Sequence, residues 1–159
     1  MKGVLYADGG SNSFGSILCV MTDLEAHKWA YVKRFDKKYN VMQIEYLALI
    51  SALEKASPQL PLIYTDNLRI SKEIGMRYLP QLASKNKMLW KIARKIYQKK
   101  PYVKVRWISR TQNLAGIYLE EILWKKKEEK FGLPRNEIEK IYRILSKRKQ
   151  GDDYFADNH

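Results

Sequence analysis

Gly3-Val4-Leu5-Tyr6-Ala7-Asp8-Gly9-Gly10-Ser11 is the stretch from which the rest of the chain is read. Val4, Leu5 and Tyr6 are strand formers, and Gly9 and Gly10 can take the positive φ values that reverse a chain. A first strand with a carboxylate at its tip is therefore expected. An Asp before two glycines serves equally well as a turn former. Chemistry at Asp8 depends on whether other acids lie where a fold brings them to it.

Composition narrows the setting. A chain of 159 residues is long enough for one domain with a core. Apolar residues make up 45% and no apolar run approaches the length of a membrane span, so a soluble globular protein is expected. The N-terminus lacks the basic, apolar and small-residue succession of a signal peptide, which leads to a cytoplasmic expectation. The single cysteine, Cys19, rules out an internal disulfide and a multi-cysteine zinc site, and reads as a small core residue of a strand. Only His27 and His159 are available for histidine-based metal sites or triads.

Charge points to a partner. Thirty basic residues against seventeen acidic ones give +13. Residues 1–80 hold ten basic and eight acidic residues (+2), residues 81–159 twenty and nine (+11). A one-sided basic field of this kind favours a polyanion, most commonly nucleic acid, over a merely solvated face or a membrane-surface stripe.

Beyond the first turn, Phe14 to Thr22 and His27 to Phe35 read as two further strands, which makes an antiparallel meander with His27 on its surface. Asn40 to Ala56 reads as a helix that is apolar nearly all round and buried on more than one side. Glu45 is the one charge between Ile44 and Leu53. It either neutralises, has a cation beside it, or reaches solvent near the helix N-terminus. Leu62 to Thr65 is a short strand ending at Asp66, followed by a helix from Leu68 to Met76. Asp66 stands either where α/β folds place functional groups or as the N-cap of that helix.

From Lys85 to Lys100, Leu89, Ile92, Ala93, Ile96 and Tyr97 fall at helical spacing, with Lys87, Lys91, Arg94, Lys95 and Lys99 opposite, a basic face suited to phosphate contact. Tyr102 to Ile108 alternates as a last strand. Asn113 then stands near the start of a helix that Gly132 closes, and Pro134 opens one more helix with an Ile138, Ile141, Tyr142 and Leu145 stripe. The tail from Gly151 is expected to be flexible. The division expected is a domain over residues 1–130, an appended helix over 131–150 and a tail over 151–159.

Three acids, Asp8, Glu45 and Asp66, thus stand at the end of the first strand, the start of the first long helix and the end of the fourth strand. Such a set suits Mg²⁺, a hard cation that takes oxygen ligands, and two such ions can drive phosphodiester cleavage without histidine. At this point the chain resembles the ribonuclease H family. Tyr6-Ala7-Asp8-Gly9-Gly10-Ser11 is similar to its first-strand motif, and Gln43-Ile44-Glu45-Tyr46-Leu47-Ala48-Leu49-Ile50 to its first helix. Tyr64-Thr65-Asp66-Asn67 is similar to its fourth-strand motif, and Trp107 to Leu119 to its last strand and helix. The separations of 37 residues from Asp8 to Glu45 and 21 from Glu45 to Asp66 also fit.

The resemblance implies an α/β fold with a five-stranded mixed sheet, three antiparallel strands and then parallel ones, flanked by helices. It further implies that Asp8, Glu45 and Asp66 bind two Mg²⁺ ions, with Asp8 bridging them and Mn²⁺ as a substitute. The expected activity is hydrolysis of the RNA strand of RNA/DNA hybrids by a monomer, with Lys87, Lys91, Arg94, Lys95, Lys99, Arg110 and Asn113 on the nucleic acid. The chain departs from the family at Ile117, where the motif has a fourth acid. Glu120 or Glu121, one helical turn on, can reach the same place. Arg110 is the only polar substitute for a loop histidine, and Val41-Met42 replaces an asparagine pair that contacts the nucleic-acid backbone. The alternatives are a DNA-directed nuclease or Holliday junction resolvase on the same fold, or an inactive nucleic-acid-binding domain.

Overall fold

A computed structural model describes residues 2–12, 15–23, 29–78 and 84–152. The elements in order are β1 (Val4–Asn12), β2 (Gly15–Thr22), β3 (Ala30–Phe35), α1 (Val41–Lys55), β4 (Leu62–Thr65), α2 (Leu68–Glu73), α3 (Ser84–Lys99), β5 (Lys104–Trp107), α4 (Leu114–Phe131) and α5 (Arg135–Asp152). The strands form one sheet in the order β3-β2-β1-β4-β5. The meander β1-β2-β3 is antiparallel, while β1-β4 and β4-β5 are parallel, which is the mixed sheet read from the sequence.

β1 lies at the centre because it is apolar where it faces α1. Leu5 is in register with Ile63 of β4, and Ile63 with Val105 of β5, so a buried row crosses three strands. Above it α1 buries Ile44, Tyr46, Leu49, Ala52 and Leu53, each worth about 1.5–3 kcal/mol for a large apolar side chain. Its other side packs on α3, which is why a helix apolar nearly all round is satisfied here.

Both ends of α1 are fastened. At the start, the Gln43 amide N–H donates to Asn40 Oδ1 at 2.8 Å and the Asn40 N–H donates to Gln43 Oε1 at 3.1 Å, a reciprocal capping box. At the other end, Lys100 Nζ donates to the carbonyls of Leu53 (2.7 Å), Glu54 (3.1 Å) and Ala56 (2.8 Å). Those oxygens carry the negative end of the helix dipole, so the ammonium satisfies them and opposes that charge at once.

α2 and α3 are joined to α1 by a buried acid. Glu73 accepts from Tyr46 Oη at 2.5 Å and from Arg69 Nε at 2.9 Å. Its carbonyl takes the indole N–H of Trp90 at 2.7 Å. Arg94 Nη1 donates to the Ile74 carbonyl at 2.7 Å, so Arg94 is a fastener of α3 rather than a member of its outer basic face.

Other expectations are corrected in detail. The chain does not reverse at Gly9 and Gly10. Neither has positive φ, and β1 continues through Asn12 in register with β2. α2 stops at Glu73 instead of Met76, where Ile74 and Gly75 form a turn, and β5 covers Lys104–Trp107 only. On α3, Trp90 takes the buried position and Ile92 is exposed, so the apolar face is turned from the one read in the sequence. α5 extends through Gly151 and Asp152. The expectations for Phe14, His27 and residues 153–159 fall outside the described residues.

The chain divides into two compact units, residues 1–119 with the sheet and residues 120–159. In the second, Arg135 and Lys127 each stack on the Trp124 ring at 4.7 Å, and Lys127 also lies over Tyr142 at 4.8 Å. Arg135 further pairs with Glu120 (2.9 Å) and Glu139 (3.1 Å). Gly132 ends α4 with φ 63° and donates its N–H to the Glu128 carbonyl at 2.8 Å, a left-handed stop that favours glycine.

Lys100→Met keeps the aliphatic stem and removes three donors to the end of α1. It is expected to lower unfolding stability by about 1–3 kcal/mol, read as a lower urea midpoint at unchanged slope. An unchanged midpoint would show that water replaces the ammonium there.

Candidate active site

Three carboxylates meet at one end of the sheet. Asp8 comes from β1, Glu45 from the second turn of α1, and Asp66 from the residue after β4. One oxygen of each lies within 4.8 Å of the others. β1 and β4 are adjacent and parallel, so Asp8 and Asp66 emerge side by side at the same end. Glu45 reaches them because α1 crosses β1 very closely. A Cβ on Gly9 would stand 2.7 Å from the Ile44 carbonyl oxygen, which only a glycine permits. That requirement for contact, rather than for a turn, explains Gly9.

Asp66 is free for this role because Asn67 takes the N-cap of α2, its Oδ1 accepting from the Ile70 N–H at 3.0 Å. Two further bonds fix Asp66. Asn113 Nδ2 donates to Asp66 Oδ2 at 3.3 Å, and Trp107 Nε1 donates to the Asp66 carbonyl at 3.2 Å. Asn113 is fully buried. It also donates to the Ala7 carbonyl at 3.0 Å and accepts from the Ala115 N–H at 3.2 Å. It is thus corrected from a nucleic-acid contact to a positioning residue that fastens the start of α4 to β1 and Asp66. Its place before the helix was the available signal.

Burial and the neighbouring Asp66 charge raise Asp8 to about 7, against the pull of the Glu45 and Gly9 hydrogen bonds and of Arg110. Glu45, 8% exposed, is pushed up to about 10 by burial first and then by Asp8 and Asp66, with Arg110 drawing it down. Of the outcomes open for Glu45, neutralisation is the one that holds without a cation.

Crowded oxygen donors, of which Asp8 and Glu45 hold their protons tightly, are what a hard divalent cation relieves, so the donor set fits Mg²⁺. Space is left on the α4 side as well. A Cβ on Gly116 would lie 3.0 Å from Asp8 Oδ2 and 3.7 Å from Asp66 Oδ2. Among the described residues of the first unit, no other acid joins the three. Ile117, at the position of the expected fourth acid, is an exposed hydrocarbon. Glu120 is engaged by Arg135 and Glu121 is exposed. Arg110 is exposed beside the group, and Lys87, Lys91, Lys95 and Lys99 are exposed along α3. Cys19 is buried opposite Asp8 on β2, and burial pushes its thiol up to about 12, which suits a core residue.

A sheet in this order, with acids converging from β1, α1 and β4, defines a ribonuclease H-like protein. Residues 3–119 match the model of the family described as reverse transcriptase-like, and the chain belongs to that family. No curated protein matches the sequence. Among solved structures, an N-terminal RNase H domain from Mycobacterium tuberculosis aligns at 19% identity and TM-score 0.58, over 70% of this chain and 85% of that one. RNase H1 from the archaeon Halobacterium salinarum aligns at 17% identity and TM-score 0.60, over 72% and 91%. LC11-RNase H1, solved in complex with an RNA/DNA hybrid, aligns at 21% identity and TM-score 0.56, over 71% and 89%.

The raised carboxyls make metal-free stability depend on pH. A folded-state pKa above the ordinary value near 4 means that the folded chain holds the proton more tightly. The stabilisation is full below about pH 4, falls toward pH 7 through Asp8 (raised to about 7), and continues to fall toward pH 10 through Glu45 (about 10). Asp8→Asn is expected to be more stable than the unaltered chain at pH 8 without metal, by on the order of 2 kcal/mol, with a smaller gap at pH 5. Denaturant melts in EDTA at the two pH values check this, and equal gaps would refute it.

Proposed function

We propose that the chain is a divalent-cation-dependent endonuclease that hydrolyses the RNA strand of an RNA/DNA hybrid. The observation that carries the reading is the convergence of Asp8, Glu45 and Asp66 within the unit that matches the family. The complex of LC11-RNase H1 with an RNA/DNA hybrid supports the choice of substrate, since that protein shares the fold.

Asp8, Glu45 and Asp66 would hold the divalent cation, Mg²⁺ or in its place Mn²⁺. When bound, the cation supplies Lewis-acid stabilisation of a phosphodiester and a water of lowered pKa. The chain's own work is to hold the three carboxyl groups close together and in place for the cation. Asn113 and the indole N–H of Trp107 orient Asp66, and Gly9 lets α1 deliver Glu45. Arg110 adds a positive charge beside the carboxylates, where a phosphate of the substrate would lie. Lys87, Lys91, Lys95 and Lys99 contact the backbone of the uncut strand, which fixes register without reading sequence. Water oxygen joins phosphorus as the bond to the 3′-oxygen breaks, leaving a 5′-phosphate and a 3′-hydroxyl. The protein works as a monomer in the cytoplasm.

Ile117 favours one second reading, a binding protein on the same fold that has lost a ligand and cuts nothing. Cleavage of end-labelled RNA/DNA hybrid, duplex RNA, duplex DNA and a four-way DNA junction with Mg²⁺ separates the readings. The expected result is hybrid cleavage that Asp8→Asn abolishes. Cleavage confined to the junction would make the protein a DNA resolvase, and binding of all substrates without product would establish the second reading.

Two measurements independent of turnover accompany the assay. Mg²⁺ is expected to raise the melting temperature of the unaltered chain at pH 8 and to leave that of Asp8→Asn nearly unchanged. Replacing Lys87, Lys91 and Lys95 by serine is expected to lower the slope of log affinity against log salt by roughly 2–3. An unchanged slope would place the substrate elsewhere.

A further inference from the structure

We propose that Trp107 is a stacking platform for a nucleotide of the bound strand, next to the phosphate held at the carboxylates. The identity of the ligand as a nucleic-acid strand rests on the nuclease reading above.

The four tryptophans differ in what they do with their rings. Trp90 is 6% exposed, inside the core, with its N–H on the Glu73 carbonyl. Trp29 packs against the core. Trp124 has a cation on its ring from both Lys127 and Arg135. Trp107 alone leaves half of its surface, 50%, open to solvent. It is the last residue of β5, the edge strand among the described residues.

An exposed indole ordinarily turns freely, but this one does not. Its N–H is tied to the main-chain oxygen of Asp66 at 3.2 Å, the residue whose side chain enters the carboxylate group. The ring is therefore oriented and set one residue away from the reacting position. Burying the exposed half would gain apolar stabilisation, and among the described residues that half is left uncovered. A base or a ribose presents an apolar face of the right size, and stacking on an oriented aromatic is tolerant of sequence. Such a contact costs little entropy, because the ring is already held. Arg110 and the α3 lysines hold charge, whereas Trp107 would hold the nucleotide itself against sliding along the strand.

The simpler role for Trp107 is to orient Asp66 and nothing else. Trp107→Phe separates the two roles, since it keeps a ring and loses the N–H, while Trp107→Ala loses both. For a platform, Trp107→Ala raises KM, and the Kd measured in EDTA, by about 5- to 100-fold, and Trp107→Phe recovers most of it. The Kd readout needs no cleavage. In addition, RNA strands carrying 5-bromouridine at successive positions, annealed to DNA and irradiated with the full chain in EDTA, are expected to crosslink at residue 107.

Equal loss of kcat in the Phe and Ala variants with KM and Kd unchanged, or no crosslink at residue 107 from any position, overturns the proposal. Hybrid cleavage without that crosslink refutes the platform and leaves the nuclease reading standing. A crosslink at residue 107 with Ala-weakened binding, but no cleavage of any substrate, supports the platform and refutes the nuclease.

Discussion

The crowding of three carboxyl groups, one oxygen of each within 4.8 Å of the others, is the constraint around which this structure is arranged. In bulk water two unit charges 4 Å apart cost about 1 kcal/mol, but at the effective dielectric of a partly buried site the figure is nearer 4. Side chains on a loose scaffold would splay apart. Here the backbone forbids it, with each acid on a different element and each element fixed. α1 is capped at both ends and pressed on β1 at Gly9, and Asp66 is fastened by one bond from Trp107 at the end of β5 and one from Asn113 beyond it. Burial first, and the neighbouring acids second, raise the proton affinities of Asp8 and Glu45 in that arrangement.

The parts of this arrangement that rest on side-chain type and local pattern were legible in the sequence. Val4, Leu5 and Tyr6 announced β1, the apolar run around Glu45 announced a helix buried on two sides, and Leu62 to Thr65 announced β4. The order of these elements brought the three acids toward one end of a sheet. What could not be read were the choices settled by tertiary contact. Gly9-Gly10 looks like a turn because the close approach of Ile44, which demands the first glycine, comes from a helix more than thirty residues away. Asp66 and Asn67 are both good caps, and only the fold shows that Asn67 does the capping.

The same holds for the polar residues around the acids and on α3. Arg94 counts as one more cation at helical spacing until the exposed C-terminal carbonyl of α2 is found beneath it. Trp90 and Ile92 are both apolar, and which of them faces inward depends on where Glu73 places an acceptor. Asn113 reads as a surface amide because its partners, Ala7 and Asp66, are far off in the chain. In each case a hydrogen-bonding demand elsewhere in the molecule decides the role.

The bond between Asn113 and the Ala7 carbonyl spans 106 residues, and it has a consequence for how the chain comes into being. A nascent polypeptide emerging from its N-terminus can pair β1 with β2 at once, since the two are neighbours in sequence. β1's other edge must wait for β4, α1's far end waits for Lys100, and Asp66 waits for Trp107 and Asn113. The carboxylates are thus secured late in the first unit. Until Asn113 has been synthesised, there is no secured cluster of acids to gather a cation.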